Sequence, residues 1–110
     1  MTRVTLYWQG GLLRGIESRG HADSDDDSGK IVCAAVSSLL HALLLGLSDV
    51  ARVDGLECEV APDPDDPLIR ILWPGRSAEK LDLLTRTIAL SLREIETGSS
   101  DFLSITEVQL

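Results

Sequence analysis

Seventeen residues, IVCAAVSSLLHALLLGL from Ile31 to Leu47, form the most apolar run in the chain and limit what the rest can fold into. Val32, Val36, Leu39, Leu40, Leu43 and Leu47 recur at helical spacing, and Ala34, Ala35 and Leu44 widen the stripe. The run therefore predicts a mostly buried helix from Ile31 to about Ser48. It is at the short limit for a membrane span and carries Ser37, Ser38 and His41, so a core helix with no membrane role is expected. Such a helix needs an apolar sheet or a second helix to cover it.

The flanking segments supply the sheet. In RVTLYW, Val4, Leu6 and Trp8 alternate with Arg3, Thr5 and Tyr7, the period of a half-buried strand; QGG then gives a tight turn, and LLRGIESRG can return as a second strand. GLECEV alternates Leu56, Cys58 and Val60 against Glu57 and Glu59, which predicts a third strand with Cys58 pointing into the core. APDPDDP reads as a loop and LIRILW as a fourth strand, stopped by Pro74 and Gly75. Ser77 is a candidate N-cap for a second helix whose apolar face is Leu81, Leu84, Ile88, Leu92 and Ile95, with Gly98 as its stop. DFLSITEVQL closes the chain as a fifth strand. The order β-β-α-β-β-α-β predicts one α+β domain over residues 1–110: a two-layer sandwich with two helices packed on one face of a mixed, mainly antiparallel sheet.

Charge narrows the partners. Eighteen acidic residues against ten basic ones leave a formal net charge of −8, which argues against direct nucleic-acid binding and suits a basic protein or peptide, or serves solubility alone. Two cysteines are too few for a disulfide framework, and the amino-terminal segment has no apolar core of a signal peptide, so a cytoplasmic location is expected.

Chemistry concentrates in GHADSDDDSGKIVCAAVSS, residues 20–38. Asp23, Asp25 and Asp27 begin like a calcium loop, but the glycine comes one position late at Gly29, and Ala34 stands where a bidentate glutamate belongs. His21, Cys33, His41 and Cys58 lack zinc-ligand spacing, so no metal is expected. A helix starting near Ser28 to Lys30 puts Cys33 in or just after its first turn, where free amides and the positive dipole end favour a thiolate and could hold an oxyanion. His41, eight residues along the same helix, is about 12 Å away and beyond proton transfer. His21 lies across a loop whose span the sequence does not fix, so it is the candidate base for Cys33. Ser37, one turn after Cys33, either hydrogen-bonds a substrate carbonyl or the histidine, or bonds back to a helix carbonyl. The bland alternative is a solvated loop before a helix-start cysteine.

GHA at Gly20 to Ala22, followed after a loop by GKIVCAAVS at Gly29 to Ser37, resembles the ribosomal-processing cysteine protease (Prp, YsxB-like) family. The order of elements and the chain length agree with that resemblance. It implies a cysteine endopeptidase that removes the N-terminal extension of a basic large-subunit ribosomal protein, in support of ribosome assembly. The implied nucleophile is Cys33, the catalytic histidine His21, and the serine one turn on Ser37; homodimers are implied, and no cofactor is required. One departure stands out: Lys30 occupies a position where the family commonly has aspartate. That change motivates the alternative of a non-catalytic ribosome-assembly or interaction module on the same fold. A redox pair of Cys33 and Cys58 is discouraged by the inward direction expected for Cys58.

Overall fold

The computed structural model describes residues 1–20 and 27–110. The first two strands, β1 (Thr2–Gln9) and β2 (Leu12–Arg19), form the expected hairpin. Gly10 and Gly11 make its two-residue turn at φ +58° and +81°, a left-handed pair that residues with a Cβ adopt at a cost. The register slips beyond Tyr7, which opposes Gly15, while Trp8 opposes Leu13, so Arg14 is the extra residue of a bulge. Its Nε donates to the Trp73 carbonyl at 3.0 Å.

After helix α1 (Asp27–Leu45) and a π-helical turn at Gly46–Val50 come β3 (Glu57–Ala61), β4 (Leu68–Leu72), the one-turn helix α2 (Gly75–Ala78), helix α3 (Asp82–Gly98) and β5 (Leu103–Gln109). The sheet order is β3-β4-β2-β1-β5, with β1 and β5 parallel and the other neighbours antiparallel. The fold is thus α+β, a mixed open sheet with helices on one face, in the order expected.

Three details differ from the sequence expectation. The second helical segment is divided: Ser77 lies inside α2 rather than capping a long helix, and Leu81 precedes α3 with no side-chain cap bond. Asp82 opens α3 and pairs with Arg86 one turn on, at 2.5 Å. Helix α1 buries Val32, Val36, Leu40 and Leu43 on one side only, while Ile31 and Leu45 face outward. The helix and its π-helical turn are long and apolar enough to cross a membrane by composition alone, yet that buried side is part of the core. Finally, Cys58 is exposed. Its direction is as expected, because it sits in register beside the fully buried Ile71 and, one strand further, Ile16. But β3 is the edge strand, and the helix layer does not cover it.

The core fills the space between sheet and helices, with Leu6, Leu13, Ile16, Leu40, Leu47 and Leu92 among its fully buried members. The opposite sheet face is polar. There Glu17 Oε1 accepts from Arg70 Nε at 2.9 Å and Nη2 at 2.5 Å, while Arg70 Nη1 reaches Glu59 at 3.1 Å. The hydrogen bonds to Glu17 and its charge hold the Arg70 pKa above its ordinary value, so this cross-strand link persists wherever Glu17 is ionised.

Candidate active site

The rotation of α1 is fixed by its buried positions. With Val32, Val36 and Leu40 turned to the sheet, Cys33 and Ser37, one turn apart, fall on the flank of the helix, and both are partly exposed. The helix begins at Asp27, one residue before the expected start. Cys33 is therefore the seventh residue of the described helix, in its second turn and beyond the first-turn amides that lack an intrahelical partner. Helical side chains lean toward the N-terminus, which tilts the Cys33 thiol back over Gly29 and Lys30. The charge-stabilising part of the helix is thus one turn from the sulfur, and any oxyanion donors at the helix start belong to the first turn rather than to Cys33 itself.

Beneath Cys33 and Ser37 lies a cavity of about 150 Å³. Its sheet side is formed by Thr2, Ser18 and Ile69, and its end by Gly20 and Pro67. The register explains the grouping: Ser18 opposes both Val4 of β1 and Ile69 of β4, on the row that faces α1. Gly20 closes the end because its amide donates to the Pro67 carbonyl at 2.9 Å, tying the exit of β2 to the segment entering β4. Its φ of +79°, and a Met1 carbonyl 2.9 Å from where a Cβ would stand, make glycine the residue that fits here.

Of the expected site residues, Cys33 and Ser37 come together in this cavity. His21 and the aspartates 23, 25 and 26 lie outside the described residues, but His21 directly follows Gly20 in the chain, and Gly20 lines the cavity. Asp27 is exposed in the first turn of α1. His41 is exposed further along the helix and lines no part of the cavity. Cys58 stands apart on the edge strand.

The hydroxyls behave differently along the helices. Ser48, Thr87, Ser91 and Thr97 donate back to the carbonyl four residues earlier, whereas Ser37 makes no such bond among the described residues. Its oxygen is available to the cavity. Thr2 and Ser18 were not anticipated as site residues. The available signal was parity: Thr2 shares the inward side of β1 with Val4 and Leu6, and Ser18 shares that of β2 with Ile16, so each is a polar residue in an apolar slot. A larger concavity of about 520 Å³ lies across the sheet around Tyr7, Arg14 and Leu72, but among the described residues neither cysteine nor histidine lines it. The candidate site is therefore singled out by its side chains and not by volume.

Among known proteins, the fold and this sequence have relatives. A protein of Streptococcus mutans, SMU.848, superposes with a TM-score of 0.87 at 26% identity, covering 100% of this chain and 96% of its own. The essential ribosomal processing protease Prp of Staphylococcus aureus, solved with a substrate peptide, superposes at 0.78 and 18% identity, over 98% of this chain and 100% of that one. The same enzyme with a covalently linked product peptide gives 0.73 at 19% identity, over 98% of this chain and 100% of that one. No protein of curated function matches. The family model described as cysteine protease Prp matches residues 1–104, up to the start of the last strand, and this chain therefore belongs to the Prp cysteine protease family.

Proposed function

We propose that this chain is a cysteine endopeptidase in which Cys33 is the nucleophile and His21 the general base and acid. The observation that carries the reading is the shared cavity: a partly exposed cysteine on α1 faces Gly20, the residue immediately before His21. Cys33 Sγ, its proton taken by the His21 imidazole, attacks the scissile carbonyl carbon to form a tetrahedral oxyanion. Collapse expels the amine, which takes the proton from His21, and leaves an acyl thioester on Cys33. Water, deprotonated by His21, then attacks the thioester and releases the carboxylate product with Cys33 restored. In this reading the hydroxyl of Ser37, one turn after Cys33, is the candidate donor to the reacting carbonyl.

The substrate proposed is the N-terminal extension of a basic large-subunit ribosomal protein, whose removal supports ribosome assembly. The family, the S. aureus relative solved with a substrate peptide, and the net charge of −8 support it. A cytoplasmic homodimer accompanies this reading: both cysteines are free, and Ile31, Leu45, Leu83 and Leu90 leave the described helix layer with exposed apolar surface that a second copy can cover. Incubation with a peptide spanning the extension and the first residues of the mature ribosomal protein should give a single cut and, after acid quench, an acyl adduct on Cys33 by mass spectrometry. Sedimentation of the same preparation should give twice the 11.9 kDa chain mass. An uncut peptide overturns the peptidase reading, and a monomer overturns the dimer.

A second reading, a non-catalytic assembly or interaction module, is favoured by two observations. Lys30 is exposed in the first turn of α1, where the family commonly has a carboxylate, and Cys33 lies past the amides that favour a thiolate. Alkylation by iodoacetamide at neutral pH separates the two. The peptidase modifies Cys33 well before Cys58, although Cys58 is the more exposed; the module modifies Cys58 first.

A further inference from the structure

The five-stranded sheet has two edges, and they are finished differently. At β5 the Ile105 amide donates to Glu96 Oε2 of α3 at 2.7 Å, and Arg93 of the same helix pairs with Glu107 at 3.2 Å. That edge is engaged by a helix. At β3, among the described residues, no hydrogen bond reaches the backbone of residues 57–61 from any element but β4, and residues 57–60 are all exposed. A row of donors and acceptors left facing solvent is a template for one more strand. Its side chains set the terms of that pairing. Glu57 and Glu59 stand on the polar face of the sheet in register with Leu72 and Arg70, while Cys58 and Val60 stand on the helix side beside Ile71 and Ile69. Val60 is 59% exposed. Glu59 shares Arg70 with Glu17, and Glu57 has no ion pair among the described residues. A concavity of about 480 Å³ borders the strand, with Glu57, Cys58, Glu59 and Arg70 in its wall.

We propose that the free edge of β3 docks an extended basic segment of a partner protein as a sixth strand, with lysine or arginine at every second position beside Glu57 and Glu59 and uncharged side chains beside Cys58 and Val60. The occupant follows from charge and period. Opposite charges on neighbouring strands attract and like ones repel, so the two glutamates select a basic strand and reject an acidic one. They also disfavour a second copy of this chain: in antiparallel self-pairing about Cys58, Glu57 of each copy would face Glu59 of the other. Nucleic acid is repelled by the same carboxylates. Strand β3 lines no part of the cavity under Cys33, so this docking is independent of the peptidase reading.

The test follows amide hydrogen exchange of the wild-type protein with a short, end-capped peptide in which lysine alternates with valine or threonine. At saturation the β3 amides that point away from β4 should exchange at least about tenfold more slowly, the worth of one added hydrogen bond, while those of β5 stay unchanged. A peptide of the same composition with its lysines in one block should slow them far less, and one with glutamate in place of lysine not at all. Glu57→Lys, at a position with no ion pair to lose among the described residues, should weaken binding of the alternating lysine peptide about fivefold. Unchanged exchange in β3 with the alternating peptide overturns the inference. So do equal effects of the alternating and single-block peptides, which would reduce the attraction to net charge, and a Glu57→Lys protein that binds as tightly as wild type. Protection of β3 that grows with protein concentration in the absence of peptide would assign the edge to a second copy and overturn it as well.

Discussion

Cys33→Ala is expected to purify as a folded protein that cleaves the extension peptide at least about 10⁴-fold more slowly than wild type, within the range that loss of a nucleophile produces in acyl-transfer enzymes. The activity and stability arguments are separate. Cys33 sits on the flank of α1, partly exposed, with Val32 and Val36 supplying the buried contacts on either side, so trimming one sulfur removes little core. Alanine is also the strongest helix former, which offsets part of that loss. The melting temperature should therefore stay within about 5 °C of wild type, a change of about 1 kcal/mol. Chemistry has no such compensation, because the methyl group cannot form the thioester. His21→Ala should fall by a similar factor, and the double variant no further than the single ones, since groups acting as one unit do not add. Residual cleavage by Cys33→Ala within tenfold of wild type would remove Cys33 from the mechanism.

How far the sequence reveals this site depends on whether its parts are close in the chain. Cys33 and Ser37 are one turn apart on one helix, and local spacing was enough to group them, whereas the span of the loop back to Gly20 was not fixed by the sequence. The strand pattern was equally local: Val4, Leu6 and Ile16 face the core because alternation says so. Cys58 shows where that logic stops. Alternation gave its direction, but whether anything covers it depends on β3 being the outermost strand, which follows from the pairing of β4 with β2 and not from any feature of GLECEV. The same holds for α1, whose apolar run suggested a mostly buried helix, although the sheet and α3 leave Ile31 and Leu45 facing outward. Ser18 reaches the cavity in the row it shares with Val4 and Ile69, and Thr2 from two residues before Val4 on the same side of β1, a grouping that needs the pairing of β2 with both β1 and β4. Division of the second helix at Glu79 to Leu81 has no comparable local signal, since Leu81 lies on the same apolar stripe as Ile88 and Leu92.

The largest expected effect on stability is at Trp73. It is 2% exposed and among the largest fully buried side chains, just past β4, and its Nε1 donates to the Leu13 carbonyl at 2.8 Å. Its own amide donates to the Arg14 carbonyl at 3.2 Å, and its carbonyl accepts from Arg14 Nε at 3.0 Å, so one residue fastens the end of β4 to the bulge in β2. Trp73→Ala removes the ring, leaves a cavity and strips the Leu13 carbonyl of that donor, at a cost of about 3–5 kcal/mol for a fully buried aromatic. Against a total stability of about 5–15 kcal/mol for a domain of this size, that is a large share of the whole. The melting temperature should fall by at least about 12 °C. Trp73→Phe keeps most of the packing and loses the indole N–H, so it should cost only about 1–3 kcal/mol. Trp8, half-buried at the far end of β1, remains as the fluorescent reporter for urea titration of both variants. A Trp73→Ala protein within 1 kcal/mol of wild type by that titration would mean that the ring is not a main tie between hairpin and core. The order Ala below Phe below wild type separates the contribution of volume from that of the hydrogen bond.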